Sequence, residues 1–203
     1  MMHRFFTIRP ESPPRAVLEQ WYSTSPLGKR LREQLNKDMG VILDQWFGYN
    51  LLVIGPNTDI PISEMTRVRR VLQVLDREQQ LRKGYTGVYA HDEELPLETE
   101  SVDVVVVLNA LDLSAHPHQL LREVHRVLTP HGHLLIVGTN GWSISGLWHR
   151  LVRLVTGYRS EHARAPGLRR LEDWLTLLEF AIAPVRHKLV VPAAGSSRWT
   201  RWL

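Results

Sequence analysis

Short apolar runs alternate with amphipathic stretches along most of the chain, and this alternation predicts a mixed α/β protein. Continuous apolar runs, several of them rich in β-branched residues, predict strands at 51–55, 68–76, 87–90, 102–112, 134–138 and 180–191. Apolar residues at helical spacing predict helices at 24–48, 118–128, 144–155 and 168–178, with a short helix after the first strand. Because strands and helices alternate, we expect a parallel, doubly wound sheet.

The beginning of the chain lacks this alternation. Prolines interrupt residues 1–23, which we therefore expect to form an irregular arm packed on the domain. Ser25 and Pro26 then suit the N-cap and the first position of a leading helix. Gly48 is expected to end that helix.

Length and composition narrow the class of protein. The 203 residues are enough for one domain with a substantial core. No cysteine is present, which excludes disulfides, a catalytic thiolate and zinc sites built from thiolates. The N-terminus has no apolar stretch typical of a signal peptide, and the longest apolar run, 102–108, is far shorter than the roughly 20 residues that cross a bilayer. We therefore expect a soluble cytoplasmic protein.

The positive charge is concentrated in the last third of the chain. The net charge is +4, and from residue 141 onward ten Lys and Arg residues face only four Asp and Glu residues. Such an excess favours anionic partners, namely a carboxylate or phosphate substrate, lipid headgroups or nucleic acid. A solvated arginine-rich surface is the other interpretation.

Four predicted strand ends carry residues suited to an adenosine-type ligand, namely Gly55, Asp76, Asp92 and Asn109. In open α/β sheets, ligands bind beyond the carboxyl ends of the strands. An acid after the second strand can accept hydrogen bonds from a ribose diol, and an acid after the third can accept from an adenine amino group. A glycine after the first strand lets the backbone approach the ligand.

The middle of the chain, "LPLETESVDVVVVLNALDLSAHPHQLLREVHRVLTPHGHLLIVG", resembles class I S-adenosylmethionine (SAM)-dependent methyltransferases of the type 11 domain group. The matching positions are Leu95-Pro96-Leu97, Ser101-Val102-Asp103, Leu121-Arg122-Glu123, Arg126-Val127-Leu128, Pro130 and Gly132. The stretch "GTNGWSISGL" is similar to a Gly-Phe-Asn-Pro-Trp-Ser motif in a bacterial branch of this group, through Trp142 and Ser143.

This resemblance implies SAM as the cofactor and gives the strand-end residues specific roles. Gly55 would lie in the glycine-rich cofactor loop and Asp76 at the ribose. Asp92, with Glu93 beside it, would lie in the loop that contacts adenine. Asn109 would line the methionine side.

The loop after the first strand departs from the group's acidic-x-Gly-x-Gly-x-Gly pattern, because "VIGPNTDI" keeps one glycine. Pro56 removes a backbone donor, and Asn57 and Thr58 replace small residues. Val53 stands where an acid would contact the methionine amino group. Either SAM binds through other groups, such as Asn57 or Asp59, or it binds weakly, or it does not bind.

The resemblance also implies a single methyltransferase-like domain over residues 1–203 with a three-layer, Rossmann-like, mostly parallel sheet. Its parts would be the arm 1–23, the leading helix 24–48, a cofactor-binding half 51–138 and a substrate-side half 139–203. The group usually adds a last antiparallel strand to the sheet. The end of this sequence contains no convincing candidate for this strand. The sequence is therefore compatible with a sheet that includes the strand and with a sheet that lacks it.

Several further residues have both a functional and a structural interpretation. His116 follows the fourth strand and could be a general base or a surface histidine. Trp142 and Trp148 could wall a substrate pocket or belong to the core. The basic helix 144–155 could cap the acceptor, contact an anionic membrane surface or pack on the sheet. The spacing of the histidines does not suit a metal site, and none is expected.

Two functional hypotheses remain. The first is a SAM-dependent methyltransferase acting on a small, anionic or lipid-like molecule. The second is a non-catalytic methyltransferase-like protein with a degenerate cofactor loop, acting as a binding or regulatory partner. A dehydrogenase is disfavoured because G-x-G-x-x-G is absent after the first strand. A nucleic-acid partner is disfavoured because "NALD" follows the fourth strand instead of Asn/Asp-Pro-Pro-aromatic. The oligomeric state is not specified by the sequence.

Overall fold

A computed structural model describes residues 15–56, 58–75, 81–91, 94–138 and 167–183. Its helices are α1 (Arg15–Thr24), α2 (Pro26–Leu43), α3 (Ile62–Met65), α4 (Ala110–Leu113), α5 (Pro117–Val127) and α6 (Leu168–Leu177). Its strands are β1 (Asn50–Ile54), β2 (Arg70–Leu75), β3 (Thr86–Tyr89), β4 (Val102–Leu108) and β5 (Leu128–Val137). The strands form one parallel sheet in the order β3-β2-β1-β4-β5, which confirms the predicted α/β fold class.

The centre of the sheet is its most apolar part, as the sequence pattern predicts. β1 and β4 pair in parallel, and the alternate side chains of β4 enter two different apolar clusters, one on each face of the sheet. One cluster contains the buried face of α5, and the other contains Met39 and Leu43 of α2. Burial on both faces explains why these strands read as continuous apolar runs without alternation.

Asp103 organises the amino-terminal edge of the sheet. Its carboxylate oxygen Oδ2 accepts hydrogen bonds from the backbone N–H groups of Tyr49 and Asn50, at 2.7 and 3.0 Å. The side-chain amide of Asn50 in turn donates to the Ser101 carbonyl at 3.0 Å. The acid of the "SVD" motif is therefore structural, and it fixes the start of β1 beside the start of β4.

The structure near the start of the chain differs from the predicted irregular arm. Residues 15–24 form the helix α1, so the prediction of an irregular arm over 1–23 is wrong for this segment. All three prolines of residues 1–23 come before residue 15 in the sequence, so none of them lies within the described helix. The Ser25 hydroxyl caps α2 by accepting from Gly28 N–H, as predicted. α2 ends at Leu43, before Gly48, with Asp44 as its C-cap.

β5 begins earlier than the sequence pattern predicts. The residues "TPHGH", expected to form a turn, lie within β5 as an irregularity in its pairing with β4. Val102 pairs with Leu128 and Val104 with His133, so the extra residues of β5 are accommodated opposite Asp103. A Cβ atom at Gly132 would approach the Leu128 side chain and the Asp103 carbonyl, which explains a glycine here.

The carboxyl-terminal part is described only over 167–183. α6 confirms the helix predicted at 168–178, and Trp174 packs against the α5-side cluster, stacks on Arg170 and meets the edge of His118. Residues 180–183 are not in a strand, so the start of the predicted strand 180–191 is wrong. The helix predicted at 144–155 and the remaining residues of that strand lie outside the described residues. None of the helices in the described ranges has the length and apolarity to cross a bilayer.

Candidate functional site

The strand order reverses direction between β1 and β4, because the chain runs outward to β2 and β3 on one side and to β5 on the other. Ligands of open α/β sheets bind beyond the carboxyl ends of the strands at such a switch point. Two turns meet there. We call residues 55–61, which follow β1, the β1 turn, and residues 109–116, which follow β4, the β4 turn.

Gly55 brings the two turns into contact. Its φ angle is +131°, which side chains rarely adopt, and a Cβ atom there would collide with the carbonyl oxygen of Leu108 at the end of β4. Pro56 is buried immediately after it and has no backbone N–H to offer. The glycine therefore serves close packing of the protein itself.

Two arginines contact the later residues of the β1 turn. Asp59 is in the left-handed region at φ +55° and lies within ion-pair distance of Arg32, at 3.3 Å, and Arg82, at 4.0 Å. Arg82 also donates to the Ile60 carbonyl at 2.8 Å. Asp59, considered from the sequence as a substitute cofactor ligand, is thus largely exposed and engaged with arginines.

The β4 turn contains a buried polar network that starts at Asn109. Asn109 adopts the left-handed conformation at φ +49°, which asparagine tolerates better than most residues, and its N–H donates to the Val137 carbonyl at 2.7 Å. Its side-chain oxygen accepts from the Tyr22 hydroxyl at 3.2 Å, and its side-chain nitrogen donates to Asp112 Oδ2 at 3.1 Å. All three side chains are buried.

This network joins α1 to the carboxyl edge of the sheet. A Cβ atom at Gly28 of α2 would collide with the Trp21 carbonyl, so this glycine permits α1 to pack closely where Tyr22 reaches Asn109. Burial raises the pKa of the Tyr22 phenol, and the negative charge of Asp112 raises it further. Tyr22 therefore stays protonated and acts as the donor to Asn109.

Asp112 faces the end of β5. A Cβ atom at Gly138, the residue after β5, would lie 3.3 Å from Asp112 Oδ1. A carboxylate that is 6% exposed thus lies between the ends of β4 and β5. Its Oδ2 atom is oriented by Asn109.

The "LPL" segment is held by an ion pair on α5. Arg126 donates to the carbonyls of Leu95 and Leu97, both at 2.9 Å, and to both carboxylate oxygens of Glu123. Glu123 Oε2 also accepts from Leu95 N–H at 3.1 Å. The Arg126 guanidinium, together with the Leu95 hydrogen bond, lowers the pKa of the Glu123 carboxyl against a smaller opposing effect of desolvation. This Glu123–Arg126 clamp fixes the segment next to the predicted adenine loop.

The predicted site residues divide into two groups. Gly55 and Asn109 lie together at the carboxyl edge, and the exposed His116 lies at the N-cap of α5. The others, Asn57, Asp76, Asp92, Glu93, Trp142 and Trp148, lie outside the described residues. All of these assignments remain predictions. Within the described ranges, no group of three or more His, Asp or Glu side chains is arranged to hold a metal ion.

Sequence reasoning missed Tyr22 and Asp112. Tyr22 belongs to the segment expected to be an irregular arm, so no face could be assigned to it. Asp112 was included in the predicted fourth strand, which in fact ends at Leu108. The spacing of Asn109 and Asp112, three residues apart in a helical turn, is the pattern that could have revealed their contact.

Known proteins resemble this chain in both sequence and fold. Residues 59–136 match the protein family described as "Methyltransferase domain", type 11. The chain is 31% identical to the uncharacterized protein YafS of Escherichia coli K12 over 181 residues, which cover 89% of this chain and 72% of YafS. The chain belongs to the class I methyltransferase domain family.

Solved structures support the fold of this methyltransferase domain. YcgJ of Bacillus subtilis superposes with a TM-score of 0.58 at 18% identity, over 73% of this chain and 69% of that protein. A SAM-dependent methyltransferase of Thermotoga maritima superposes with a TM-score of 0.57 at 17% identity, over 80% of each chain. The match extends beyond the segment 59–136, so the Rossmann-like methyltransferase fold includes most of the described residues.

Proposed function

We propose that this methyltransferase domain is an active SAM-dependent enzyme that methylates a small molecule. The observation that carries the proposal is the buried network of Tyr22, Asn109 and Asp112 at the switch point between β1 and β4. Buried polar side chains are costly unless they are hydrogen-bonded, and they occur where a fold needs a specific site. Here they occupy the edge at which α/β folds bind ligands.

The residues present suit the chemistry of SAM. Its amino-acid group offers an ammonium to acceptors and a carboxylate to donors, and the β4 turn contains an amide and a carboxylate. In the β1 turn, Thr58 is 1% exposed, and its hydroxyl has no hydrogen-bond partner among the described residues. A buried hydroxyl without a partner is destabilising. A bound ligand that hydrogen-bonds to Thr58 would remove that cost.

The catalytic demands on the chain are modest. When bound, SAM supplies a methyl group already activated on a sulfonium, so the protein contributes mainly alignment of the acceptor and exclusion of water. In this proposal α1, which contacts the β4 turn through the buried Tyr22–Asn109 hydrogen bond, contributes to the exclusion of water there. His116 is the candidate base for acceptors that must lose a proton, because it is the last residue of the β4 turn and is exposed.

The acceptor is proposed to be small and anionic or lipid-like. The support is the excess of basic side chains after residue 141, part of which is described as the exposed Arg169 and Arg170 of α6. An anionic acceptor, or an anionic membrane surface that presents it, would be attracted to this half of the chain.

Titration calorimetry of the purified chain with SAM and S-adenosylhomocysteine tests the proposal. We expect saturable binding with dissociation constants in the micromolar range. Absence of binding at millimolar ligand would refute it and would favour the second hypothesis, a non-catalytic binding or regulatory protein. The observation behind that alternative is the buried Pro56, which removes a backbone donor from the β1 turn.

A further inference from the structure

We propose that two copies of this chain form a two-fold dimer through the amino-terminal edge of the sheet, opposite the edge that carries the β1 and β4 turns. The surface consists of residues at the starts of three neighbouring strands: Phe47 and Tyr49 before β1, Arg69 and Arg70 at β2, and Glu98 and Glu100 before β4. We call these six residues the amino-edge surface. The inference does not depend on the proposed function.

The two aromatic side chains of the amino-edge surface are exposed, although the backbone that carries them is fixed. Phe47 is 64% exposed and Tyr49 is 71% exposed. Asp103 Oδ2 accepts a hydrogen bond from Tyr49 N–H at 2.7 Å. The Gly48 carbonyl accepts one from Arg69 N–H at 3.2 Å. Aromatic residues are enriched in protein interfaces, and a fixed backbone reduces the entropy that is lost on association.

The charges of the amino-edge surface are available to a partner. All four charged residues are exposed, and within the described ranges none of them belongs to an ion pair. Neighbouring charges differ in this respect. Arg67, which lies over the Phe47 ring at 5.5 Å, donates to both carboxylate oxygens of Asp44 at 2.7 and 3.1 Å. Arg126 is likewise paired with Glu123.

The order of the strands gives the amino-edge surface opposite charges on its two sides. β1 lies between β2 and β4. Asn50, the first residue of β1, is the register partner of Arg70. Its side-chain amide donates to the carbonyl of Ser101, the residue after Glu100, at 3.0 Å. The two aromatic residues are therefore flanked by arginines on the β2 side and by glutamates on the β4 side.

This arrangement is complementary to a second copy of itself. A two-fold axis that passes through the start of β1, perpendicular to the sheet, places the aromatic residues of the two copies together. The same axis places the β2 side of each copy opposite the β4 side of the other, so that arginines face glutamates. A surface with a single sign of charge, such as an anionic membrane, would attract one side and repel the other. The charge pattern therefore favours a second copy.

The proposed dimer should dissociate reversibly. An aromatic side chain buries about 150–250 Å² when it is fully enclosed. The exposed parts of the four aromatic side chains would then contribute roughly 400–700 Å², which is less than half of the ~1,600 Å² of a standard interface. We therefore expect a dissociation constant in the micromolar range and a dimer fraction that rises with protein concentration.

Analytical ultracentrifugation of the whole chain, from low micromolar to several hundred micromolar protein, tests the proposal. The wild type should change from monomer to dimer over this range. Tyr49→Ser should weaken association by ~10-fold or more, because it removes an aromatic side chain from the centre of the interface. Tyr89→Ser is the matched control, because Tyr89 is also 71% exposed but lies at the end of β3, and this variant should dimerise like the wild type.

A charge exchange tests the orientation of the two copies. A chain with Arg69→Glu and Arg70→Glu, and a chain with Glu98→Lys and Glu100→Lys, should each be monomeric, because like charges would face each other in their homodimers. An equimolar mixture should form a heterodimer, in which opposite charges face each other again. Recovery in the mixture would also show that both variants are folded.

Three results would overturn the inference. The first is a wild type that stays monomeric at every concentration, including one that sediments with phosphatidylserine vesicles, which would assign the amino-edge surface to a lipid partner. The second is equal weakening of association by Tyr49→Ser and Tyr89→Ser, or weakening by neither. The third is a mixture of the two charge variants that remains monomeric although each variant has the circular dichroism spectrum of the wild type.

Discussion

The β1 turn and the β4 turn lie next to each other at one edge of the sheet, but they are built from different chemistry. The β1 turn contains a glycine packed against Leu108, a buried proline and an acid engaged with arginines. The β4 turn contains a buried amide and a buried carboxylate linked to Tyr22. The contrast between a turn packed closely against the sheet and a turn with a buried polar network supports the proposal that side chains of the β4 turn contribute to ligand binding.

Gly55→Ala is the strongest way to break this comparison. The substitution forces a side chain into a φ of +131° and against the Leu108 carbonyl, so we expect the free energy of unfolding to fall by about 3 kcal/mol or more. Urea denaturation measures it. Gly40→Ala in α2 is the control, because a Cβ there meets no atom within 4 Å and alanine favours helix. A small effect at residue 55 would show that the two turns are not in close contact.

Glu123→Gln tests a site away from both turns. Losing the charged partner of Arg126 and Leu95 should lower the free energy of unfolding by about 2 kcal/mol at neutral pH. Because the folded pKa of Glu123 is lowered, its contribution is complete above the unfolded pKa and is lost as the pH falls through the folded value. The wild-type and variant stabilities should therefore converge in acid. SAM affinity that fell more than stability would contradict a purely supporting role.

Tyr22→Phe probes the connection between α1 and the β4 turn. Removing the hydroxyl leaves Asn109 Oδ1 without this donor in a buried site, and we expect a loss of about 1 kcal/mol in the free energy of unfolding. Tyr49→Phe, at a side chain that is 71% exposed, should have little effect. Equal stabilities for the two variants would place Tyr22 outside the network.

Thr58→Val should have the smallest effect on stability and a distinct effect on binding. Its hydroxyl is buried without a partner among the described residues, so replacing it with a methyl of similar size should leave the free energy of unfolding unchanged or slightly higher. If SAM hydrogen-bonds to this hydroxyl, the variant should bind SAM more weakly than the wild type, as measured by calorimetry. A marked loss of stability would show that the hydroxyl is already bonded within the protein.

The sheet was predictable from sequence because its central strands are buried on both faces, which leaves uninterrupted β-branched runs such as Val104 to Val107. The ends of elements were less predictable. The "TPHGH" segment has the composition of a turn, but its pairing with β4 incorporates it into β5. Local composition does not reveal such strand pairing, because the partner strand is distant in the sequence.

The site was only partly predictable for the same reason. Gly55 and Asn109 could be found because they end apolar runs. Tyr22 acquires its role from a contact with Asn109, 87 residues further along the chain. Asp112 is a buried acid that hydrogen-bonds to Asn109 and lies beside Gly138 at the end of β5, which is distant in the sequence. Long-range packing, not local pattern, creates both features.

A crystal structure of the chain with S-adenosylhomocysteine tests the central claim most directly. The account predicts a ligand across the carboxyl ends of β1 and β4, in contact with the β4 turn. A ligand bound elsewhere, or an edge that stays empty in crystals grown with millimolar ligand, would contradict it.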